Sequence, residues 1–400
     1  MRKKIIAFMM SICLVVGLSG CNLVEDKKSE KKKEKVLKVV VATEAFDEAE
    51  KEYRAAKNMV KEYIKNDEED EDSSDNKKEG KKEEAQEVED SVIHIVLPKN
   101  TDEANKKIVK LSKDEDIRGI VLATDRPGML PALKQIREKR PDIVTVCAST
   151  PEEPAKISEW VDLCIDTNMS EIGENIVTLS KELGAKTFIY YSSKSDLADE
   201  KINNRRNKIK ETCKNENVKF IEVLTPEYLT EKGKSDMQKF LEEDIQKKVD
   251  QYGKDINILG ANDSMDEIII KNAIKLKYIV AQQSNPSPVD GYPAAMGIKL
   301  SKKDSQNFSK VNDMISEKAK EKGISNRLGG VPMPTSLLLT ELSVHIAVQM
   351  VEEDLTQEDV SDPDYLEKFA EEKYGIGAIF EKANEEIDNY QLMTIEQIIY

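Results

Sequence analysis

Residues 256–281 read INILGANDSMDEIIIKNAIKLKYIVA and contain one complete unit of the fold. The apolar run Ile256–Leu259 is short and ends at Gly260, as a buried strand does. A stretch of helical period covers Asp266–Lys275, and a second apolar run, Tyr278–Ala281, follows it. Strand, helix and strand in this order predict a β-α-β unit, whose two strands lie parallel in one sheet.

The same alternation runs through most of the chain. Further short apolar runs, bounded by polar or turn residues as buried parallel strands are, lie at Val36–Ala42, Val92–Leu97, Gly119–Ala123, Ile143–Cys147, Val161–Ile165, Thr187–Tyr191 and Val218–Val223. Amphipathic helical segments between them are Glu48–Ile64, Asp102–Leu111, Met129–Lys139, Ser170–Leu183, Lys201–Asn215 and Glu231–Tyr252. This pattern predicts an α/β fold with parallel sheets. Because one open sheet rarely holds so many strands, we expect two Rossmann-like lobes.

Composition shifts along the chain predict its division into segments. The expected segments are an N-terminal α/β lobe at 36–183, a C-terminal α/β lobe at 184–329, a return to the first lobe at 330–352 and an acidic tail at 353–400. The hinge is expected at Gly329-Gly330-Val331-Pro332, followed by the apolar helix Ser336–Val351. Residues 66–90 are rich in Glu, Lys, Asp and Ser, which is typical of a solvated insertion. The tail has a moderate helical period, and its role stays open.

The beginning of the chain does not have the pattern of the fold. Three basic residues precede the apolar run Ile5–Leu18, which is too short for a comfortable membrane span. With the small residues that follow, this pattern predicts a signal peptide over 1–20. Leu18-Ser19-Gly20-Cys21 resembles the lipobox of bacterial lipoproteins, whose cysteine is lipidated after cleavage. The resemblance implies a lipid anchor at Cys21, a disordered tether over 21–35 and a location on the extracellular face of the bacterial cell membrane.

Composition argues against several classes of function. The 400 residues carry 61 Lys and Arg against 77 Asp and Glu, a net charge of −16. Nucleic-acid binding normally needs a basic stripe and electrostatic membrane capture a basic patch, so neither is expected. The two histidines, His94 and His345, and the five cysteines show no metal-ligand spacing. The sequence also lacks phosphate-loop, nucleophile-elbow and HExxH motifs, so we expect neither an enzyme nor a cofactor.

Polar side chains follow most of the predicted strands. In open α/β sheets, ligands bind beyond the carboxyl ends of the strands. The candidate ligand-binding residues at these ends are Thr43, Thr124, Asp125, Ser149, Tyr191, Asn262, Asp263 and Gln283. Hydroxyl, amide and carboxylate groups on one rim suit a polar, hydrogen-bonding ligand, and Tyr191 offers a ring for stacking.

Three segments of the second half resemble the sugar-binding type I periplasmic-binding proteins and their repressor relatives. They are Gly260-Ala261-Asn262-Asp263-Ser264-Met265, the pair Arg205-Arg206 near the start of a helix, and Ala281-Gln282-Gln283-Ser284-Asn285-Pro286. The resemblance implies a two-lobed fold in which Asp263 contacts ligand hydroxyls and an arginine of the pair clamps the ligand.

A second resemblance covers nearly the whole mature chain. Lys139-Arg140-Pro141-Asp142-Ile143, Gly184-Ala185-Lys186-Thr187-Phe188 and the stretch from Pro286 to Pro293 resemble an uncharacterised family of clostridial-type lipoproteins with this fold. Since the ligand of that family is unknown, this resemblance bears on fold and location rather than on the ligand.

Fold, anchor and rim together predict a solute-binding lipoprotein. It would capture a small polar solute, foremost a sugar or nucleoside, for an ABC-type permease. An amino acid stays open as the ligand, with Ser149 and Thr150 as donors to its carboxylate. A surface sensor or interaction protein that uses the same fold without transport stays open as another class. We expect Arg126, Arg205 and Arg206 to make the cleft neutral or positive.

Overall fold

The structure is a computed structural model that describes residues 37–64 and 91–400. The predicted signal peptide 1–20, the lipidation site Cys21, the tether 21–35 and the insertion 66–90 lie outside the described residues. Within the described ranges, no helix has both the length and the apolarity that a membrane crossing requires.

Strands and helices alternate as the sequence pattern predicts. In chain order they are β1 (Lys38–Thr43), α1 (Glu50–Glu62), β2 (Val92–Val96), α2 (Thr101–Leu111), β3 (Ile117–Ala123), α3 (Leu130–Lys139), β4 (Val144–Ala148), α4 (Pro154–Ile157), β5 (Leu163–Thr167), α5 (Met169–Glu182), β6 (Thr187–Ser192), α6 (Lys194–Ala198), α7 (Glu200–Asn215), β7 (Lys219–Leu224), α8 (Glu231–Tyr252), β8 (Ile256–Gly260), α9 (Asp266–Leu276), α10 (Tyr292–Met296), α11 (Phe308–Glu321), β9 (Gly329–Gly330), α12 (Thr335–Glu352), α13 (Gln357–Val360), α14 (Pro363–Tyr374), β10 (Ala378–Asn384), β11 (Ile387–Ile395) and β12 (Ile398–Ile399).

The first lobe is built on a seven-stranded sheet within the described residues. Its strand order is β10-β11-β5-β4-β3-β1-β2, and all neighbours are parallel except β10 and β11. Helix α12 packs against one face of this sheet, where Leu338 and Leu342 share an apolar core with Val121 and Val146. Because α12 is apolar on nearly all sides, it can be buried along almost its whole length.

The second lobe has a smaller parallel sheet, ordered β7-β6-β8. Helices α5 and α7 cover one face of it, and α8, α9 and α11 cover the other. The predicted strand Tyr278–Ala281 extends the sheet only through single bridges, Asn257 to Ile279 and Val280 to Leu328. An α/β fold with mostly parallel sheets is therefore confirmed.

The division between the lobes lies earlier than the expected 183/184 boundary. Ile172 and Ile176 of α5 pack with Phe188 and Tyr190 of β6, so α5 belongs to the second lobe. The chain crosses between the lobes after β5, between β9 and α12, and between β11 and β12, which pairs with β9. At the predicted hinge, a β-carbon on Gly329 would collide with the carbonyl oxygen of Ala281, so close packing requires this glycine.

The acidic tail predicted at 353–400, with its moderate helical period, is only partly helical in the structure. Helices α13 and α14 fit the predicted period, but β10 and β11 form a hairpin, and β11 pairs in parallel with β5. Strand β11 carries the buried polar residues Asn389, Gln391 and Thr394. These polar residues hide the strand in the sequence, because Asn389 donates to Ser158 and Val161 and Gln391 donates to Ser361, which all lie in distant segments. Gln391 also donates to the nearby Asp388 carbonyl oxygen.

Candidate ligand-binding cleft

A cleft lies between the lobes at the carboxyl ends of the parallel strands. Its larger part has a volume of about 870 Å³ and is lined by α1, by the ends of β3 and β4, and by second-lobe residues including Asp263 and Asp290. A smaller part of about 350 Å³ lies between the end of β5, the helices α5 and α7, and the loop after β8. The two parts adjoin, since Glu52, Asp125, Ser149 and Asp263 line both. Ligands of open α/β sheets bind at this edge.

On the first lobe, Thr124 and Arg126 form a group around Glu44. Arg126 is ion-paired with Glu44 and also donates to the carbonyl oxygen of Pro98. The Thr124 hydroxyl donates to Glu44 Oε1 at 2.5 Å. Thr43 is buried beneath this group, where its hydroxyl donates to the Glu44 carbonyl oxygen. Thr124 therefore lines the cleft, whereas Thr43 supports the loop that forms it.

Asp125 and Ser149 belong to a charged network that joins the lobes. Ser149 Oγ lies 2.6 Å from Asp125 Oδ1 and 2.9 Å from Asp166 Oδ1. From α7 of the second lobe, Lys201 Nζ reaches Asp125 Oδ1 at 3.1 Å and Asp166 Oδ2 at 3.3 Å. Burial alone would lower the pKa of Lys201, but Asp166 and Asp125 outweigh it and raise the pKa above its usual value. Lys201 therefore stays charged and links the two walls of the cleft.

The second-lobe wall is shaped by Arg205 and Asn262. The buried Arg205 donates to the carbonyl oxygens of Ser284 at 2.5 Å and Ala261 at 2.9 Å, so it holds two loops together. Asn262 donates to both carboxylate oxygens of Asp196 at 3.1 Å. Both residues line the smaller part of the cleft. The terminal NH2 groups of Arg205 donate to the protein, which differs from the clamping role that the resemblance implied for an arginine, and its Nε has no partner among the described residues.

Three predicted site residues lie away from the cleft. Tyr191 is buried in the second-lobe core, and its hydroxyl donates to Asp244 at 2.9 Å. Arg206 is ion-paired with Glu222 outside the cleft. Gln283 is buried and donates to the carbonyl oxygen of Asp290 at 2.6 Å, which holds its own loop. The stacking role expected of Tyr191 is therefore corrected, because β6 continues to Ser192 and Tyr191 still belongs to the strand.

Sequence reasoning missed several residues of the cleft. Glu52 lies on α1, where its helical setting reads as an ordinary solvated face. Lys51, on the same helix, forms an ion pair with Asp290 of the second lobe at 2.8 Å. Thr335 and Ser336 begin α12 and line the smaller part. The position after a strand was a usable signal for Asp166, but these helical residues have no such signal in the sequence.

Carboxylates outnumber cations in the lining of the cleft, so the prediction that the cleft is neutral or positive is wrong. Its lining carboxylates are Glu44, Asp47, Glu48, Glu50, Glu52, Asp125, Asp166, Asp263 and Asp290. Its lining cations are Lys51, Arg54, Arg126, Lys201 and Arg205. Arg206 lies elsewhere, and Arg126 is neutralised by Glu44. Among the described residues, no group of three or more His, Cys, Asp or Glu side chains is arranged to hold a metal ion.

Two α/β lobes around a cleft define the type I periplasmic-binding-protein-like fold. A solved structure of a sugar ABC transporter from Actinomyces odontolyticus ATCC 17982 has this fold: it is 8% identical, has a TM-score of 0.52 and aligns over 90% of this chain and 94% of its own. Residues 37–329 match the family described as "Protein of unknown function (DUF3798)", and the chain belongs to that family.

Two further relatives resemble this chain. A crystal structure from Clostridium difficile 630, described as a "Putative transcriptional regulator", is 46% identical, with a TM-score of 0.83 over 91% of this chain and 99% of that one. An uncharacterized protein of Treponema pallidum (strain Nichols) is 23% identical over 169 residues, which are 42% of this chain and 78% of the relative.

Proposed function

We propose that this chain is an extracytoplasmic solute-binding protein, anchored by lipid at Cys21, that captures a small polar solute for an ABC-type permease. The supporting observation is the cleft between the lobes, lined from both sides by polar side chains at the ends of parallel strands. A sugar or nucleoside fits this lining, since hydroxyl groups can both donate to carboxylates and accept from hydroxyls.

Two lobes that enclose a solute bind it by closing around it. The connections after β5, before α12 and after β11 are the places where the backbone would turn during closure. Lys201 and Lys51 already connect the walls through Asp125 and Asp290, so small rotations remake contacts at the cleft edge. The closed form would present a surface of both lobes to the permease.

The description of the Clostridium difficile relative as a regulator would suggest nucleic-acid binding, which is less well supported here than solute binding. A net charge of −16 opposes binding to a nucleic-acid backbone. The transporter description of the Actinomyces protein agrees with solute binding, although at 8% identity it bears on the fold alone.

A thermal-shift screen against sugars, nucleosides and amino acids tests the proposal. A ligand at 100 times its dissociation constant should stabilise the protein by about 2.7 kcal/mol. Asp263→Ala should abolish the shift without lowering the melting temperature, because Asp263 is exposed and its side chain makes no hydrogen bond or ion pair within the described residues. Asp102→Ala, at an exposed position of α2, is the matched control. If no compound shifts the melt, solute capture is contradicted and a sensor that binds a protein partner gains support.

The lipid anchor needs a separate test. Cells that express the full chain would be fed an alkyne-labelled fatty acid, and the membrane fraction would be examined for label on the protein. We expect label on the parent and none on Cys21→Ala, which should appear outside the membrane fraction. Label that persists in Cys21→Ala would contradict the assignment.

A further inference from the structure

We propose that the solute is a small hydroxylated amine, positively charged at neutral pH. This inference rests on the proposed function, since it names the class of solute that the cleft takes. It follows from which charged groups in the cleft have partners and which do not.

Every cation that lines the cleft is engaged with the described part of the protein. Lys51 pairs with Asp290 at 2.8 Å, Arg54 with Glu50 at 2.7 Å, Arg126 with Glu44, Lys201 with Asp125 and Asp166, and Arg205 with two backbone carbonyls. The charges of Lys51, Arg54, Arg126 and Lys201 are therefore offset by carboxylates. Arg205 has no carboxylate partner, and its Nε has no partner among the described residues, but the residue is only 3% exposed.

Two carboxylates on opposite walls of the cleft, by contrast, have no charged or hydrogen-bonding partner among the described residues. Glu52 lies half-buried on α1 of the first lobe, and Asp263 lies at the end of β8 in the second. Among the described residues, neither has a hydrogen bond or ion pair, and both line both parts of the cleft. Closure without a cation would bring two negative charges closer together, whereas an ammonium group between them would interact favourably with both.

An independent observation indicates a hydroxyl group on the same solute. Thr335 lines the smaller part of the cleft and is only 8% exposed, yet its hydroxyl has no partner among the described residues. It begins α12, whose N-cap, Pro334, supplies no side-chain acceptor for the free backbone N–H groups of the first turn. A polar group on a residue this buried normally finds a partner, and a solute hydroxyl can both donate to and accept from these groups.

Two matched triads of compounds test the class. They are glucosamine, glucose and glucuronate, and then 2-amino-1,3-propanediol, glycerol and glycerate, each titrated calorimetrically into the purified chain at pH 7 and low salt. We expect an amine to bind at least about tenfold more tightly than its neutral and anionic partners. Added salt should weaken that binding, because exposed charges are screened.

Variants identify the groups responsible. Glu52→Gln and Asp263→Asn should each weaken amine binding about tenfold or more, and Glu103→Gln, an exposed carboxylate outside the cleft, should leave it unchanged. Unchanged melting temperatures would show that the variants fold.

Equal or tighter binding of the neutral or anionic members overturns the amine class but leaves solute binding intact. If none of the six compounds binds, the amine class is likewise overturned, and the wider thermal-shift screen decides the proposed function separately.

Discussion

Glu341 and His345 lie one turn apart on α12, and the protein shifts their pKa values in opposite directions. Burial raises the pKa of Glu341 to about 7 from 4.5, despite a hydrogen bond from Asn58. Burial lowers the pKa of His345 to about 4. Between pH 4.5 and 7, folded Glu341 keeps a proton that the unfolded chain loses, so its effect on stability becomes less favourable as pH rises. His345 has the opposite effect up to about pH 6.5, because the folded form is neutral where the unfolded form is charged.

Glu341→Gln should separate these opposed effects. The neutral amide removes the carboxylate titration and leaves that of His345. The free energy of unfolding of the variant, relative to the parent, should therefore rise with pH from 4.5 to 7, by up to about 3 kcal/mol. Urea denaturation at pH 5, 6, 7 and 8 measures the difference. Glu358→Gln, at an exposed position of α13, should show a flat difference, and a flat difference for Glu341→Gln would contradict the raised pKa.

At the scale of elements, β11 depends on polar contacts that no local pattern encodes. Asn389 is buried and donates to the carbonyl oxygens of Ser158 at 2.9 Å and Val161 at 2.8 Å. Asn389→Ala leaves both carbonyls without this donor and should lower the free energy of unfolding by about 1–3 kcal/mol. Chemical denaturation measures the loss. Asn384→Ala, at the exposed turn of the same hairpin, should change stability by less than about 1 kcal/mol.

Strands and helices that are apolar on one face or throughout could be predicted from the sequence. The predicted strands before residue 260 begin and end within two residues of the observed ones, because parallel strands buried on both faces keep continuous apolar runs. Strand β11 was not predictable, since its buried amides resemble a surface segment until their distant partners are known. Helix α5 was predicted, but its lobe was not, because an amphipathic pattern does not say which sheet the apolar face meets.

The same reasoning explains the outcome at the cleft. Thr124, Asp125, Ser149, Asn262 and Asp263 all line it, because the end of a parallel strand is fixed once the strand is known. Residues contributed by helices depend on how the two lobes face each other, and this arrangement is set by packing of the whole chain. Glu52, Lys201 and Thr335 therefore became visible only in three dimensions.

At the scale of the whole molecule, ion pairs hold the two lobes together across the cleft. Lys201 connects α7 to Asp125 and Asp166, and Lys51 connects α1 to Asp290. Asp166 is buried and also accepts from the Tyr390 hydroxyl at 3.1 Å, so this end of the connection reaches into the first-lobe sheet. Rotation of one lobe must break or rearrange these pairs, which makes them a determinant of how far the cleft opens.

Lys201→Met should therefore open the cleft and destabilise the protein. It keeps most of the aliphatic stem but leaves Asp125 and Asp166 without their cation, at about 1–3 kcal/mol of unfolding free energy. Small-angle X-ray scattering should show a larger radius of gyration than the parent, and chemical denaturation should show the lost stability. Lys208→Met is the matched control, because Lys208 lies on the same helix but pairs with Glu174 inside the second lobe at 2.8 Å. An unchanged radius in Lys201→Met would mean that packing of the lobes, and not this ion pair, sets the width of the cleft.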